Sequence, residues 1–196
     1  QSAQALNAMG GKRIIFHSGS CGKITRQEAL AKAFVTPLDR EDLAQISHDI
    51  DNVTDSIEEI LQRAADKGEA PLLVICDELS DPHNLGAIVR SAECFGAHGI
   101  VIPKHRSVGV NDTVVKVASG ATEHMLIAKV TNINDTIRML KEHNVWVYAT
   151  DFDGKAPKCA NLTGNTAIVI GSEGEGIKKL TKELCDDTLT IPEYGK

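Results

Sequence analysis

Long apolar runs are absent from this sequence, because no stretch approaches the roughly 18 residues of a membrane-spanning helix. The N-terminal region also makes a poor secretion signal, since Gly10, Gly11 and His17 interrupt it. We therefore expect a cytoplasmic protein with no membrane partner. Hydrophobic residues still make up 42% of the chain, which is enough for a real core.

Metal-binding spacings are also missing. The five cysteines never fall in a CxxC pattern, and the seven histidines include no HExxH pair. An odd number of cysteines without such spacing favours neither a disulfide framework nor a zinc site. We expect reduced thiols and no metal.

Positive charge is in short supply, since 21 Lys and Arg stand against 27 Asp and Glu, for a formal net charge of -6. Phosphate contacts need Lys and Arg, so this balance argues against a nucleic-acid partner at first sight. The excess of acid is local, however. Residues 39–59 hold eight acids and one base, or -7, which leaves about +1 for the rest of the chain.

The acidic segment has the apolar spacing of a helix. Its apolar side chains recur every three or four residues, at Leu43, Ile46, Ile50, Val53, Ile57 and Ile60. Thr36 and Pro37 suit a helix N-terminus, and the KGEAP stretch from Lys67 to Pro71 suits its end. We therefore predict an acidic helical N-terminal extension over residues 1–67 and a second domain over 68–196.

From Leu72 onward, short apolar runs alternate with helical patterns. The runs are LLVIC, GIVIP, HMLIAKV, VWVYAT, TAIVIG and TLTIP, and the helical patterns cover residues 84–95, 112–120, 132–143 and 174–184. Near-continuous apolar strands are typical of parallel sheets covered on both faces. We predict an α/β fold with a parallel open sheet, in which ligands bind beyond the carboxyl ends of the strands.

Three loops that follow predicted strands carry distinctive residues. They are DPHNLGAIVR from Asp81, GSEGEGI from Gly171, and the terminal IPEYGK. The GxxGxG spacing of the second loop fits neither a dinucleotide fingerprint nor a P-loop. Its glycines suit either a close approach of the backbone to a ligand at the start of a helix or a plain strand-to-helix turn.

In their order and spacing, these three motifs resemble the SpoU family of the SPOUT superfamily, over about Leu72 to Gly195. The resemblance implies a trefoil-knotted α/β domain, a homodimer, S-adenosylmethionine as cofactor, and methyl transfer to a ribose 2′-hydroxyl of structured RNA. IPKHRSVGV and ASGATEH further resemble the branch that methylates a guanosine of large-subunit rRNA, so rRNA is favoured over tRNA. The alternative is a noncatalytic RNA-binding or assembly module that keeps the fold.

The resemblance also implies roles for individual residues. Asn84, Arg90 and Glu173 are the expected catalytic residues. Arg90 is expected to hold a phosphate or stabilise an oxyanion, because a guanidinium stays protonated in proteins. The expected cofactor contacts are the backbones of Thr150, Gly171 and Ile191, and the expected RNA contacts are Lys104, Arg106 and Lys116.

Each catalytic candidate has a structural alternative. Asn84 also suits a helix N-cap, and Arg90 also suits an ion pair with Glu93 three residues later. Glu173 also suits compensation of a helix dipole in a first turn.

Two segments depart from the family pattern. The family's third motif continues with a Ser-Leu-Asn segment and a final helix, so we expect the 68–196 domain to lack the C-terminal part of that motif and of the cofactor pocket. Residues 25–61 weakly resemble a helix of PhoU-like phosphate-transport accessory proteins, whereas relatives of this branch often carry a small RNA-binding domain there.

Overall fold

The computed structural model of the chain describes residues 14–15, 34–35 and 55–191. The chain divides into two compact units, Gln1–Thr54 and Asp55–Lys196. In the first unit, strands β1 (Ile14–Ile15) and β2 (Phe34–Val35) pair antiparallel, a pairing that the predicted helical extension does not include. The cap predicted at Thr36 and the apolar positions 43–53 lie outside the described residues.

Helix α1 (Ile57–Lys67) begins with a capping box. Ser56 is extended, its Oγ accepts a bond from the Glu59 amide at 3.1 Å, and Glu59 Oε2 accepts one from the Ser56 amide at 2.7 Å. The apolar spacing predicted one continuous helix from before Leu43 through Ile60. That prediction is wrong, because a helix begins after Ser56. Gly68, in the left-handed conformation, ends α1, and this end agrees with the predicted one.

Helix α1 belongs to the core of the second unit. Ile57, Ile60 and Ala64 are buried. Ile60 packs so tightly on the backbone of Gly99 that a Cβ at that glycine would overlap the isoleucine side chain. The second unit thus begins at Asp55 and includes a helix that the sequence assigned to the extension.

Six parallel strands form the sheet of the second unit. They are β3 (Leu72–Cys76), β4 (Gly99–Pro103), β5 (Leu126–Val130), β6 (Trp146–Lys155), β7 (Thr166–Ile170) and β8 (Asp187–Leu189). Their order across the sheet is β5-β4-β3-β7-β6-β8. The predicted α/β class with a parallel open sheet is confirmed, and the knot stays a prediction.

Four further helices pack on the sheet: α2 (Pro82–Cys94), α3 (Asp112–Val117), α4 (Ile133–Glu142) and α5 (Lys179–Leu184). Two buried clusters lie on the two faces. Along β4, Val101 joins the cluster of α1 and α4, whereas Ile100 and Ile102 join the cluster of α2 and α3. Side chains alternate between faces in a strand, so burial of both faces explains the unbroken apolar runs. Within the described ranges, no helix is long and apolar enough to cross a membrane.

Strand β6 is longer than predicted. Its pairing with β8 matches both Thr150 and Lys155 to Leu189, so residues 151–154 bulge out between the two pairings. Thr150 therefore lies within a strand, and the loop expected directly after Ala149 begins later.

Candidate active site at the carboxyl edge of the sheet

The strand order brings the first two motifs together. Strands β3 and β7 are neighbours and pair from Leu72 opposite Thr166 to Cys76 opposite Ile170. The DPHNLG motif follows β3 and the GSEGEG motif follows β7. Because parallel strands end at the same edge, the two motifs meet there although they are distant in sequence.

Glu173 uses both of its carboxylate oxygens, one to bond the first motif and one to bond the residue directly before that motif. Asn84 Nδ2 donates to Oε1 at 2.7 Å, and Ser80 Oγ donates to Oε2 at 3.2 Å. These bonds, that of Asn84 foremost, lower the pKa of Glu173 below its ordinary value because they stabilise the charged form. Glu173 is thus an anion of the second motif that is held in place by hydrogen bonds from Ser80 and Asn84.

Asn84 is free for this contact because another residue caps the helix. Asp81 is the N-cap of α2, its Oδ1 accepts a bond from the His83 amide at 2.8 Å, and Pro82 occupies the first helical turn. The alternative role of Asn84 as the cap is therefore wrong. The Asp-Pro pair is the sequence signal that could have shown this.

The glycine of the first motif has a packing role. A Cβ on Gly86 would lie 2.7 Å from Val117 Cβ and 3.0 Å from the Val114 carbonyl oxygen. Helix α2 can approach α3 this closely only because position 86 has no side chain. Gly86 thereby sets where α2 presents Asn84 and Arg90.

Arg90 lies about two turns beyond Asn84 on α2, and its side chain is exposed. It forms no hydrogen bond or ion pair with any other described residue, so the alternative pairing with Glu93 is absent from this structure. The guanidinium keeps all five of its donors for a ligand.

The GSEGEG segment forms a closed turn. The amides and carbonyls of Ser172 and Gly176 bond each other reciprocally at 3.0 Å, and Gly176 has a φ of 70°. A Cβ on Gly171 would overlap the Gly176 backbone, whereas one on Gly174 would meet nothing within 4 Å. Helix α5 begins only at Lys179. The predicted helix from residue 174 is therefore wrong, and Gly171 and Gly176 shape the turn that carries Glu173.

Asp77 and Glu78 fasten the far end of this turn to the β3 side. The buried Asp77 accepts a hydrogen bond from the Lys178 amide at 3.1 Å, and Glu78 forms an ion pair with Lys178 Nζ. These residues and Ser80 were not predicted from the sequence, because their partners lie roughly 90 to 100 positions away in the chain.

The three expected cofactor positions lie in or just after three adjacent strands, β7, β6 and β8. Thr150 pairs with Leu189 of β8, Gly171 directly follows β7, and Ile191 comes two residues after β8. Thr150 Oγ1 donates to the Val169 carbonyl at 2.8 Å, so its hydroxyl is occupied within the sheet. A cofactor contact by Thr150 or Gly171 is therefore expected from the backbone, whose donors and acceptors suit the hydrogen-bonding edges of an adenosine.

The expected RNA-binding residues lie on two segments, one that contacts the loop before α2 and one that packs on α2. Lys104 and Arg106 lie in the loop after β4, which is tied to the β3 loop by bonds to the Leu79 carbonyl from the Val108 amide at 2.7 Å and from Ser107 Oγ at 3.0 Å. Lys116 lies on α3, which packs on α2. All three are exposed and form no ion pair with a described residue.

Elsewhere, several cations are neutralised. The pairs are Arg138–Asp135 at 2.6 Å, Lys141–Asp186 at 2.8 Å, Lys155–Asp187 at 2.8 Å and Lys182–Asp151 at 2.6 Å. Exposed cations without an ion pair are therefore found on α2, on α3 and in the loop after β4, whereas these four cations of α4, α5 and β6 are paired. Within the described part of the chain, no group of three or more His, Cys, Asp or Glu could hold a metal ion.

The sheet is that of a parallel α/β domain, and the first two sequence motifs meet at the carboxyl ends of its strands. The SpoU rRNA Methylase family matches residues 71–196, and the chain belongs to this family. The 23S rRNA (guanosine-2'-O-)-methyltransferase RlmB of Neisseria meningitidis is 43% identical over 140 residues, which cover 71% of this chain and 55% of the relative. RlmB of Escherichia coli K12 is 45% identical over 130 residues, covering 65% and 53%.

A solved structure is also similar. The AdoMet-bound rRNA methyltransferase from Sinorhizobium meliloti aligns with a TM-score of 0.59 and 26% identity, over 64% of this chain and 49% of that one. The chain spans about half the length of the relatives it matches.

Proposed function

We propose that this chain provides the catalytic domain of an enzyme that transfers a methyl group from S-adenosylmethionine to a ribose 2′-hydroxyl of RNA. Membership of the SpoU family supports the reaction, and the names of the RlmB relatives favour ribosomal RNA over tRNA. The bond between Asn84 and Glu173 carries the proposal, because it joins the first and second family motifs on the helix that also presents the unpaired Arg90.

The bound cofactor supplies a methyl group on a sulfonium, which a ribose oxygen can take up without a covalent enzyme intermediate. The chain's tasks are then to position the hydroxyl and to assist loss of its proton. Glu173 helps by orienting Asn84. An ionised carboxylate only accepts, so it holds the Asn84 NH₂ group and leaves Oδ1 as a free acceptor. A ribose O–H requires an acceptor of this kind.

Arg90 suits the negative charge of the reaction. A guanidinium does not lose its proton in a protein, so Arg90 acts as a clamp on the neighbouring phosphate or on the developing oxyanion, and the proton leaves to another group or to solvent. The exposed and unpaired state of Arg90 supports this role.

Lys104, Arg106 and Lys116 bind RNA phosphates in this proposal. Lys104 and Arg106 follow the first motif closely in the chain, and Lys116 lies on α3, the helix that packs on α2. All three are exposed, and none forms an ion pair with a described carboxylate. A homodimer and a cytoplasmic location, which the family resemblance implies, complete the proposal.

The test of the reaction uses S-adenosylmethionine with a radiolabelled methyl group and ribosomal RNA that lacks the modification. We expect label in RNA and one nucleotide linkage resistant to alkali, because a 2′-O-methyl group blocks the internal attack. Asn84→Ala should lower the rate about tenfold or more, since it removes a hydrogen bond to the reacting hydroxyl. Ser91→Ala, on the exposed face of the same helix, is the matched control.

Binding of RNA without any methyl transfer would refute the catalytic proposal and favour the noncatalytic module. The RNA contacts are tested separately by filter binding over a salt series. Combined Lys104→Ala and Arg106→Ala should weaken binding and reduce the salt slope by about two contacts, whereas Lys179→Ala should not. Deletion of residues 39–54, which carry most of the acidic segment and precede the second unit, should not weaken binding, and a loss on that deletion would contradict the assignment.

A further inference from the structure

The bulge in β6 connects the segments that carry the three cofactor positions. It begins after Thr150 and ends at Lys155, whose carbonyl accepts a hydrogen bond from the Thr190 amide at 2.9 Å. Thr190 Oγ1 also donates to the Phe152 carbonyl at 3.2 Å. Thr190 directly precedes Ile191, so the bulge joins the Thr150 position to the Ile191 position.

The bulge fits closely against β8. A Cβ on Gly154 would lie 2.7 Å from the carbonyl carbon of Thr188, so the backbones touch at this point. Phe152, in contrast, is 85% exposed and contributes little packing. Apolar burial therefore does not hold the outer part of the bulge in place, and another interaction has to do so.

Lys182 supplies such an interaction, in addition to the two hydrogen bonds of Thr190. Its Nζ donates to Asp151 Oδ2 at 2.6 Å and to Asp153 Oδ1 at 2.9 Å, one residue on either side of Phe152. Lys182 lies on α5, the helix that follows the Gly171 turn. One ammonium group thus links the segment after Gly171 to the bulge, and the bulge links Thr150 to Ile191.

The strength of the link differs between the two carboxylates. The side chains of Lys182 and Asp151 are 29% and 35% exposed, whereas that of Asp153 is 77% exposed. Asp151 is the stronger partner, because solvent screens the Asp153 pair more. Its other oxygen accepts the Phe152 amide at 2.7 Å, which fixes the carboxylate within the bulge. The pKa of Asp151 is lowered, first by the Lys182 hydrogen bond.

We propose that Lys182 is a positioning residue for the cofactor: by clamping Asp151 and Asp153 it holds the β6 bulge so that the backbones of Thr150, Gly171 and Ile191 keep one arrangement. This inference rests on the proposed function, since it assigns the clamp to the S-adenosylmethionine site. Lys182 need not touch the cofactor. Its contribution is preorganisation, which raises affinity by reducing the ordering that binding requires.

The test measures S-adenosylmethionine binding by calorimetry in the full chain and three variants. Lys182→Met removes the charge but keeps most of the stem, Lys182→Arg keeps the charge, and Lys179→Met is the control on the same helix, where the side chain is 92% exposed and its nearest carboxylate is 3.9 Å away. We expect Lys182→Met to weaken cofactor binding about three- to tenfold, and Lys182→Arg to recover most of the loss. RNA affinity should stay unchanged in all three.

Hydrogen exchange provides a readout that does not depend on binding. In Lys182→Met, the amide of Thr190 should exchange faster than in the wild type, because its acceptor on Lys155 is no longer held, while amides of β3 and β4 stay unchanged. Asp151→Asn should give the same result, and adding it to Lys182→Met should produce little further change.

The outcomes separate the two proposals. If the wild-type chain binds no S-adenosylmethionine, the proposed function fails and the cofactor role of the clamp fails with it, whatever the exchange rates show. If the wild type binds and Lys182→Met binds equally well, the clamp inference alone is overturned. Unchanged exchange at Thr190 in Lys182→Met would also overturn it, because the bulge would then be held without the lysine.

Discussion

Replacement of Gly86 by alanine tests how the packing of α2 on α3 sets the site. In an open helix interior this change stabilises a protein by about 0.5–1 kcal/mol, because glycine loses more backbone entropy on folding. At position 86 the new Cβ would lie 2.7 Å from Val117 Cβ and 3.0 Å from a backbone carbonyl oxygen, both closer than ordinary contact. Val117 Cβ and the backbone cannot move by rotation of a side chain, so α2 itself has to shift.

Overpacking of this kind costs about 1–3 kcal/mol, which outweighs the helix-propensity gain and leaves Gly86→Ala destabilised by about 1–2 kcal/mol. For a unit of this size that corresponds to a fall in Tm of roughly 3–7 °C. Guanidinium denaturation followed by circular dichroism measures the free energy of unfolding. Gly164→Ala is the control, because its Cβ would meet nothing within 4 Å and its φ is not in the left-handed range.

The same variant should lose methyl transfer at temperatures where it remains folded, because a shift of α2 moves Asn84 away from Glu173. If Gly86→Ala were as stable as the wild type or more stable, the close approach of the two helices would not exist in solution. Lowered stability with unchanged transfer would instead show that the position of α2 does not set the site.

Arg90→Ala should abolish most methyl transfer with little effect on cofactor affinity, and Arg90→Lys should rescue poorly, because a point charge does not reproduce a planar fork; wild-type turnover in both would remove Arg90 from the site. The pKa of Glu173 is lowered from 4.5, so its contribution to stability should be complete above that pH and disappear as the pH falls through the lower folded-state pKa. Urea denaturation of Glu173→Gln should lack that part of the acid dependence, and identical pH profiles would contradict the assignment. In a Cys21→Ser background, a thiol reagent should modify the exposed Cys94 and Cys159 in the folded protein, and Cys76 and Cys185 only after unfolding. Burial raises the pKa of Cys76 to about 12 and that of Cys185 to about 11, which keeps both as unreactive thiols. Equal rates for all four cysteines would refute this.

The strands were predictable because both faces of the sheet are buried. Runs such as LLVIC and GIVIP contain no polar residue, and only a strand covered on two sides needs that pattern over five residues. The family motifs also predicted that Asn84 and Glu173 lie close together. Asn84 is in the segment after β3 and Glu173 is in the segment after β7, and these parallel strands end at the same edge of the sheet. Local sequence was sufficient for these features.

The details that depend on neighbours in space were not predictable. Nothing near Lys182 in the sequence indicates that its partners are Asp151 and Asp153, because that pairing requires β6 to lie beside β8 and to bulge there. Residues 174–178 were predicted as the start of a helix but belong to the closed turn and the segment after it, since glycine followed by an acidic residue suits both structures. The helix start at Ser56 was available in the sequence as the S-x-x-E capping box but was masked by the regular apolar spacing around it.

The order of strands has a consequence for how the protein folds. Strands β3 to β5 come from residues 72–130 and β6 to β8 from residues 146–189, and within this sheet the one strand pairing between the two halves is that of β3 with β7. That pairing joins segments about 94 residues apart, so it closes the longest loop in the sheet and is expected late on the folding pathway. The contact of Asn84 with Glu173 and that of Asp77 with Lys178 both cross this seam. During refolding, each half can gain its helices and local strand pairs before the seam closes, and methyl-transfer activity should return only with the final docking step.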